Sequence, residues 1–102
     1  MMDRTVGLPS GVVQDGVFTK RIWQKNILWH PEPSFTFDKF LFENKRPFIK
    51  RIRVVVIEKG AVYELPIALF DKLKKEYNYG NGKGYRVPIK DWGKEGHQCE
   101  LL

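Results

Sequence analysis

The chain has 102 residues, 18 Lys and Arg against 12 Asp and Glu for a net charge of +6, and 42% hydrophobic side chains. That is enough chain and apolar mass for one folded domain over residues 1–102, and it excludes intrinsic disorder. The lone Cys99 excludes an internal disulfide framework, and no apolar run reaches the ~18 residues of a membrane span.

The N-terminus has no apolar signal core, so the expectation is an intracellular protein without a membrane partner, in the host cytoplasm if the source is viral. Lysine is abundant and Ala61 and Ala68 are the only alanines. Many charges with few thermolabile amides fit a heat-adapted archaeal or viral origin. The charge is uneven. Residues 1–44 sum to zero, residues 45–90 carry twelve basic against four acidic side chains, and residues 91–102 sum to −2. A basic middle is the footprint of a polyanion binder, or else a solvated face that keeps the chain soluble.

In chain order, residues 1–9 have no period and read as a loose arm. Asp15-Gly16 between apolar flanks predicts a type I′ hairpin turn, with a second arm running on through Thr19, Arg21, Trp23, Lys25 and Ile27. His30-Pro31-Glu32-Pro33 breaks regular structure and reads as an internal linker. Residues 35–42 are read as a short helix, capped by Ser34 or Thr36, with Phe37, Phe40 and Leu41 inward and Pro47 ending it. Its phenylalanines are expected in the core rather than on a ligand platform.

The densest basic cluster, residues 45–53, leads into the β-branched run Arg51–Glu58. As a strand, that run puts Ile52, Val54 and Val56 on one face and Arg51, Arg53, Val55 and Ile57 on the other. Lys59-Gly60 is read as the turn into a second strand, Ala61–Leu65. Pro66 then opens a helix whose apolar stripe is Leu69, Phe70, Leu73 and Tyr77, with Asp71–Lys75 and Lys72–Glu76 pairs outside it. Asn78-Tyr79-Gly80 would stop that helix, and residues 80–84 would form a flexible loop. Residues 85–89 read as a strand placed at a sheet edge by Pro88, and residues 93–102 as a fraying tail. The expected fold is α+β: a small antiparallel sheet with one or two helices packed on one face.

The glycine loop lacks the Lys-[Ser/Thr] of a phosphate-binding loop and follows a helix, which rejects a nucleoside triphosphate site. Lys83-Gly84-Tyr85 resembles the opening of the RNA-recognition-motif signature, with Arg86, Val87 and Pro88 departing from it. The resemblance implies Tyr85 stacking on a base while Arg86 meets phosphate. His97, Cys99 and His30 do not converge into a metal motif, no nucleophile has a base at a suggestive spacing, and the Glu58 and Glu64 carboxylates read as surface.

The expectation is therefore a non-enzyme with no cofactor and no metal. It would bind DNA or RNA with little sequence preference, with Arg46, Lys50, Arg51, Arg53, Lys83 and Arg86 on phosphates and Tyr85 stacking. The alternative is a protein-interaction or structural protein, virus-encoded or homo-oligomeric. It would act through an edge strand or an aromatic patch drawn from Trp23, Trp29 and Trp92.

Overall fold

Asp15 and Gly16 both adopt positive φ, 55° and 81°, as a type I′ turn requires. They join β1 (Val12–Gln14) to β2 (Val17–Ile22), with Gln14 opposite Val17. A computed structural model of the chain describes residues 10–95 and 97–99, with side chains through residue 92. The arm expected over 1–9 lies outside the described residues.

The two predicted strands are β4 (Arg51–Val56) and β5 (Ala61–Pro66), but the turn between them is the four residues 57–60 rather than Lys59-Gly60 alone. Ile57 and Glu58 leave the strand, the Gly60 N–H bonds back to the Val56 carbonyl at 2.9 Å, and Gly60 takes φ 65°. Further on come β3 (Ser34–Asp38), α1 (Lys39–Lys45), α2 (Ile67–Leu73), β6 (Lys75–Tyr79), β7 (Gly82–Pro88), α3 (Ile89–Glu95) and β8 (His97–Cys99). The class is α+β, with eight strands and three α-helices among the described residues. The strands form two sheets rather than one. The first has the order β1-β2-β4-β5-β8, in which β2 and β4 run parallel and the other pairs are antiparallel. The second, β3-β7-β6, is wholly antiparallel.

The core lies between the sheets. Phe18, Ile22, Ile52, Val54, Val56 and Leu65 face in from the first sheet, and Phe35, Phe37, Tyr85 and Val87 from the second. Phe42, Phe70 and Trp92, one from each helix, complete it. Phe42 and Phe70 meet at 4.7 Å between ring centroids, and Trp92 meets Phe35 edge-on at 5.4 Å. These rings carry much of the apolar area withdrawn from water.

Several expectations are corrected. The second hairpin arm ends at Ile22, because its partner β4 ends opposite it at Val56; Gln24–Asn26 form a 3-10 turn instead. Residues 35–38 are a strand, since Phe35 and Phe37 alternate into the core while Thr36 turns away. The helix begins only at Lys39, capped by Asp38, whose carboxylate accepts from the Leu41 N–H at 2.9 Å. The inward residue of α1 is thus Phe42, and Phe40 and Leu41 are 72% and 56% exposed. Pro47 sits in the following 3-10 turn, Arg46–Phe48.

Helix α2 stops at Leu73, and Lys75, Glu76 and Tyr77 belong to β6, where a five-residue ladder to β7 outweighs another helical turn. The expected helical pairs are replaced by Asp71 with Lys74 and Arg46, and by Glu76 with Lys39. The expected loop is a hairpin turn with Gly80 at φ 50°, and β7 is the central strand of its sheet, not an edge. Pro88 is tolerated there because β6 reaches only as far as Arg86. The Ile89 N–H points toward β3, bonding the Pro33 carbonyl, so the Pro88 nitrogen faces the side with no strand. Where fraying was expected, the backbone of 93–95 completes α3, anchored by fully buried Trp92, and 97–99 pairs with β5.

Candidate nucleic-acid interface

The basic residues expected on phosphate are dispersed over several surfaces. Arg46 lies beside α1 and α2. It donates to Glu43 Oε1 at 2.9 Å and to Asp71 Oδ2 at 2.8 Å, and these bonds raise its pKa further. Lys50 is exposed, with its stem against Gly16. Arg51 and Arg53 share the outer face of β4 as expected, and both hydrogen-bond to Glu64 on β5. The same face holds Thr19, Val55 and Val62, all buried, so it is no open platform.

On β7 the alternation separates Lys83 and Tyr85 from Arg86. Tyr85 is a core residue, 3% exposed, ringed by Phe42 and Phe70. Its hydroxyl donates to Glu43, and burial followed by that bond pushes its pKa up to about 12. Burial acts to raise the Glu43 carboxyl, but hydrogen bonds from Arg46 and Tyr85 prevail and hold it below its ordinary range. The stacking role expected of Tyr85 is therefore corrected: its ring is spent inside the fold. Trp92 is likewise core, whereas Trp23 and Trp29 are 48% and 47% exposed.

Arg86 faces the other way, and there the second sheet carries a different set. Because Tyr85 and Val87 point into the core, Gly82, Gly84 and Arg86 point outward. Their partners on β6 are Tyr79, Tyr77 and Lys75, and Arg86 also faces Thr36 on β3. Tyr77 lies over Gly84 so closely that a Cβ there would come within 2.7 Å of its ring. Tyr79 covers Gly82, where the corresponding approach is 2.9 Å. The two rings are 5.6 Å apart at 39°. The Tyr79 hydroxyl donates to Asp38, which pins the ring across the sheet, raises the Tyr79 pKa and lowers that of Asp38.

The outer face of β3-β7-β6 is therefore a paired tyrosine floor flanked by Lys75 and Arg86. Nη1 of Arg86 is buried without a hydrogen-bond partner. Tyr77 was expected on a helical stripe and Tyr79 in the stop after it, not on a strand facing glycines. The signal was there: Tyr77 and Tyr79 mirror Gly84 and Gly82 about the Gly80-Asn81 turn.

Among the described residues no group of three His, Cys, Asp or Glu side chains converges on a metal position, and Glu58 and Glu64 have separate partners. Glu58 accepts from the Gln24 N–H at 2.8 Å, while Glu64 holds the two arginines. No helix among the described residues is long and apolar enough to cross a membrane. Comparison with family models, curated proteins and solved structures returns no match.

Proposed function

We propose that the protein binds single-stranded DNA or RNA, with little sequence preference, on the outer face of the β3-β7-β6 sheet. The observation that carries this reading is the pair of tyrosines laid over Gly82 and Gly84 beside Lys75 and Arg86. A ring resting on glycine backbone keeps its opposite face for a base, and every base has a face to stack, so such a floor is tolerant of sequence. Cations beside it meet the backbone phosphates, and the +6 charge of the whole chain favours encounter with a polyanion.

The test is fluorescence anisotropy with labelled single-stranded oligonucleotides and a duplex, between about 50 and 200 mM salt. Affinity should fall linearly on a log–log salt plot. Tyr79→Ala should weaken it roughly tenfold, the loss of one stacked base. Lys75→Glu should flatten the salt slope by about one unit. Absence of binding at the lowest salt overturns the reading. So does binding that ignores both changes and is lost with Arg51→Glu and Arg53→Glu.

A second reading has its own observation. Phe40, Leu41 and Phe48 are 72%, 56% and 69% exposed on α1 and the turn after it. Of these, Phe48 lines an open groove of about 790 Å³ together with Val12, Val13, Asp15, Lys45 and Lys50, two cations against one carboxylate. Charge complementarity favours a protein partner with apolar anchors set in an acidic surface, rather than a second copy of this basic chain. Phe40→Ser with Phe48→Ser should abolish binding of a labelled acidic peptide rich in Leu and Phe, and should leave oligonucleotide binding unchanged. Peptide binding that survives this change overturns the second reading.

A further inference from the structure

Lys20 sits on β2 between Phe18 and Ile22, so strand alternation sends its side chain to the apolar face, opposite Val54. Its amine donates to the Thr36 carbonyl on β3 and stands 5.1 Å from the centroid of the Phe37 ring. It also lines a cavity of about 340 Å³ at the mouth between the two sheets, walled by Phe18, Phe37, Leu41 and Phe42. Two other charged groups face this cavity, Asp38 from the end of β3 and Lys45 from α1. A reachable amine in an apolar cavity is an arrangement that activates lysine as a nucleophile.

We propose that Lys20 is a carbonyl-capturing residue, forming an imine with a small, largely apolar aldehyde or ketone held in this cavity. The neutral Nζ attacks the carbonyl carbon. The carbonyl π pair moves to oxygen, which takes a proton to give a carbinolamine. The proton on that oxygen is the one the attacking nitrogen sheds. A second proton, from solvent, lets the hydroxyl leave as water as the C=N bond forms, so amine, carbonyl and one proton become protonated imine and water with no change of oxidation state. The protonated imine keeps one N–H, matched to the Thr36 carbonyl, and its charge is favoured by Asp38. The three phenylalanines suit an aromatic or short aliphatic substituent.

Burial supports the chemistry. It lowers the Lys20 pKa to about 8, against the opposing pull of Asp38. At pH 7.5 this leaves on the order of a hundredfold more unprotonated amine than an exposed lysine has.

The test uses the unaltered chain, with benzaldehyde as the probe and cyanoborohydride to trap the imine, and maps modified lysines by peptide mass spectrometry. Lys20 should be labelled at least tenfold faster than exposed Lys59 and Lys72 at pH 7.5. Its rate should level off above about pH 8, while theirs go on rising toward pH 10. Labelling of Lys20 no faster than that of Lys59 and Lys72, or without the plateau, overturns the proposal.

Discussion

Glu64 holds two arginines at once: Oε1 accepts from Arg51 Nη1 at 3.0 Å and Oε2 from Arg53 Nε at 2.7 Å. The strand register makes this possible, since Arg53 lies directly opposite Glu64 and Arg51 is two residues along on the same face. Glu64 is only 8% exposed. Glu64→Gln should therefore cost about 1–3 kcal/mol, because it uncouples a buried acceptor from two cations. The check is a urea titration, in which the midpoint falls with an unchanged slope.

Phe42 and Phe40 are two residues apart on one short helix and should behave as opposites. Phe42 is fully buried against Phe18, Phe37, Phe70 and Tyr85. Phe42→Ala should destabilise by about 3–5 kcal/mol, while Phe40→Ala stays within about 0.5 kcal/mol. Thermal melts of the two variants measure the contrast directly.

Asp38 serves two elements. It caps α1 through the Leu41 N–H, and it accepts from the Tyr79 hydroxyl. Asp38→Ala should cost about 0.5–2 kcal/mol for the cap. It should also loosen the Tyr79 ring, so oligonucleotide affinity falls more than it does in Asp38→Asn. Stability and anisotropy measured on both variants separate the two roles.

The buried amine of Lys20 makes a pH signature. Its folded pKa, about 8, lies below the ordinary 10.5, so between those values the unfolded chain binds more protons. Stability then rises with pH across that window. Below pH 8 the full cost of burying the charge applies, about 3 kcal/mol on the scale of 1.36 kcal/mol per pKa unit. Lys20→Met should be more stable than the unaltered chain at pH 7, with the gap closing toward pH 10. Above pH 10 Tyr85 acts in the opposite sense. Its folded pKa of about 12 exceeds the unfolded 10, so its contribution is lost as pH rises through that interval. Denaturant titrations of both proteins from pH 7 to beyond pH 10 follow the signs.

What could be read from the sequence was what local chemistry decides. Asp15-Gly16 specifies its turn through two positive φ values, and the β-branched run from Ile52 to Val56 reads as a strand because alternation and propensity agree. Residues 35–42 were ambiguous for a physical reason. Phe35, Phe37, Phe40 and Phe42 fit a period of two or of three to four, and only the ladder to β7 decides between them. Tyr77 follows Leu73 at helical spacing, so it reads as helix until β7 offers a partner. The tyrosine floor left only an indirect trace, the mirror spacing of Tyr77 and Tyr79 with Gly84 and Gly82, since it exists only once two strands have paired. Basic residues close in sequence were not close in role either, because Glu43, Asp71 and Glu64 drew three of the arginines into ion pairs.

The parallel pairing of β2 with β4 has a kinetic consequence. Phe18 meets Ile52 across 34 positions of chain, and between them lie β3 and α1, which belong to the other layer. The first sheet therefore cannot close without carrying part of the second into place. The hairpins β1-β2, β4-β5 and β6-β7 pair locally, but neither sheet is joined until long-range closure brings β2 to β4 and β3 to β7. Folding should be slow for a chain of this length and all-or-none, and a nascent chain should gain lasting structure only once β7 has emerged to join β3 and β6.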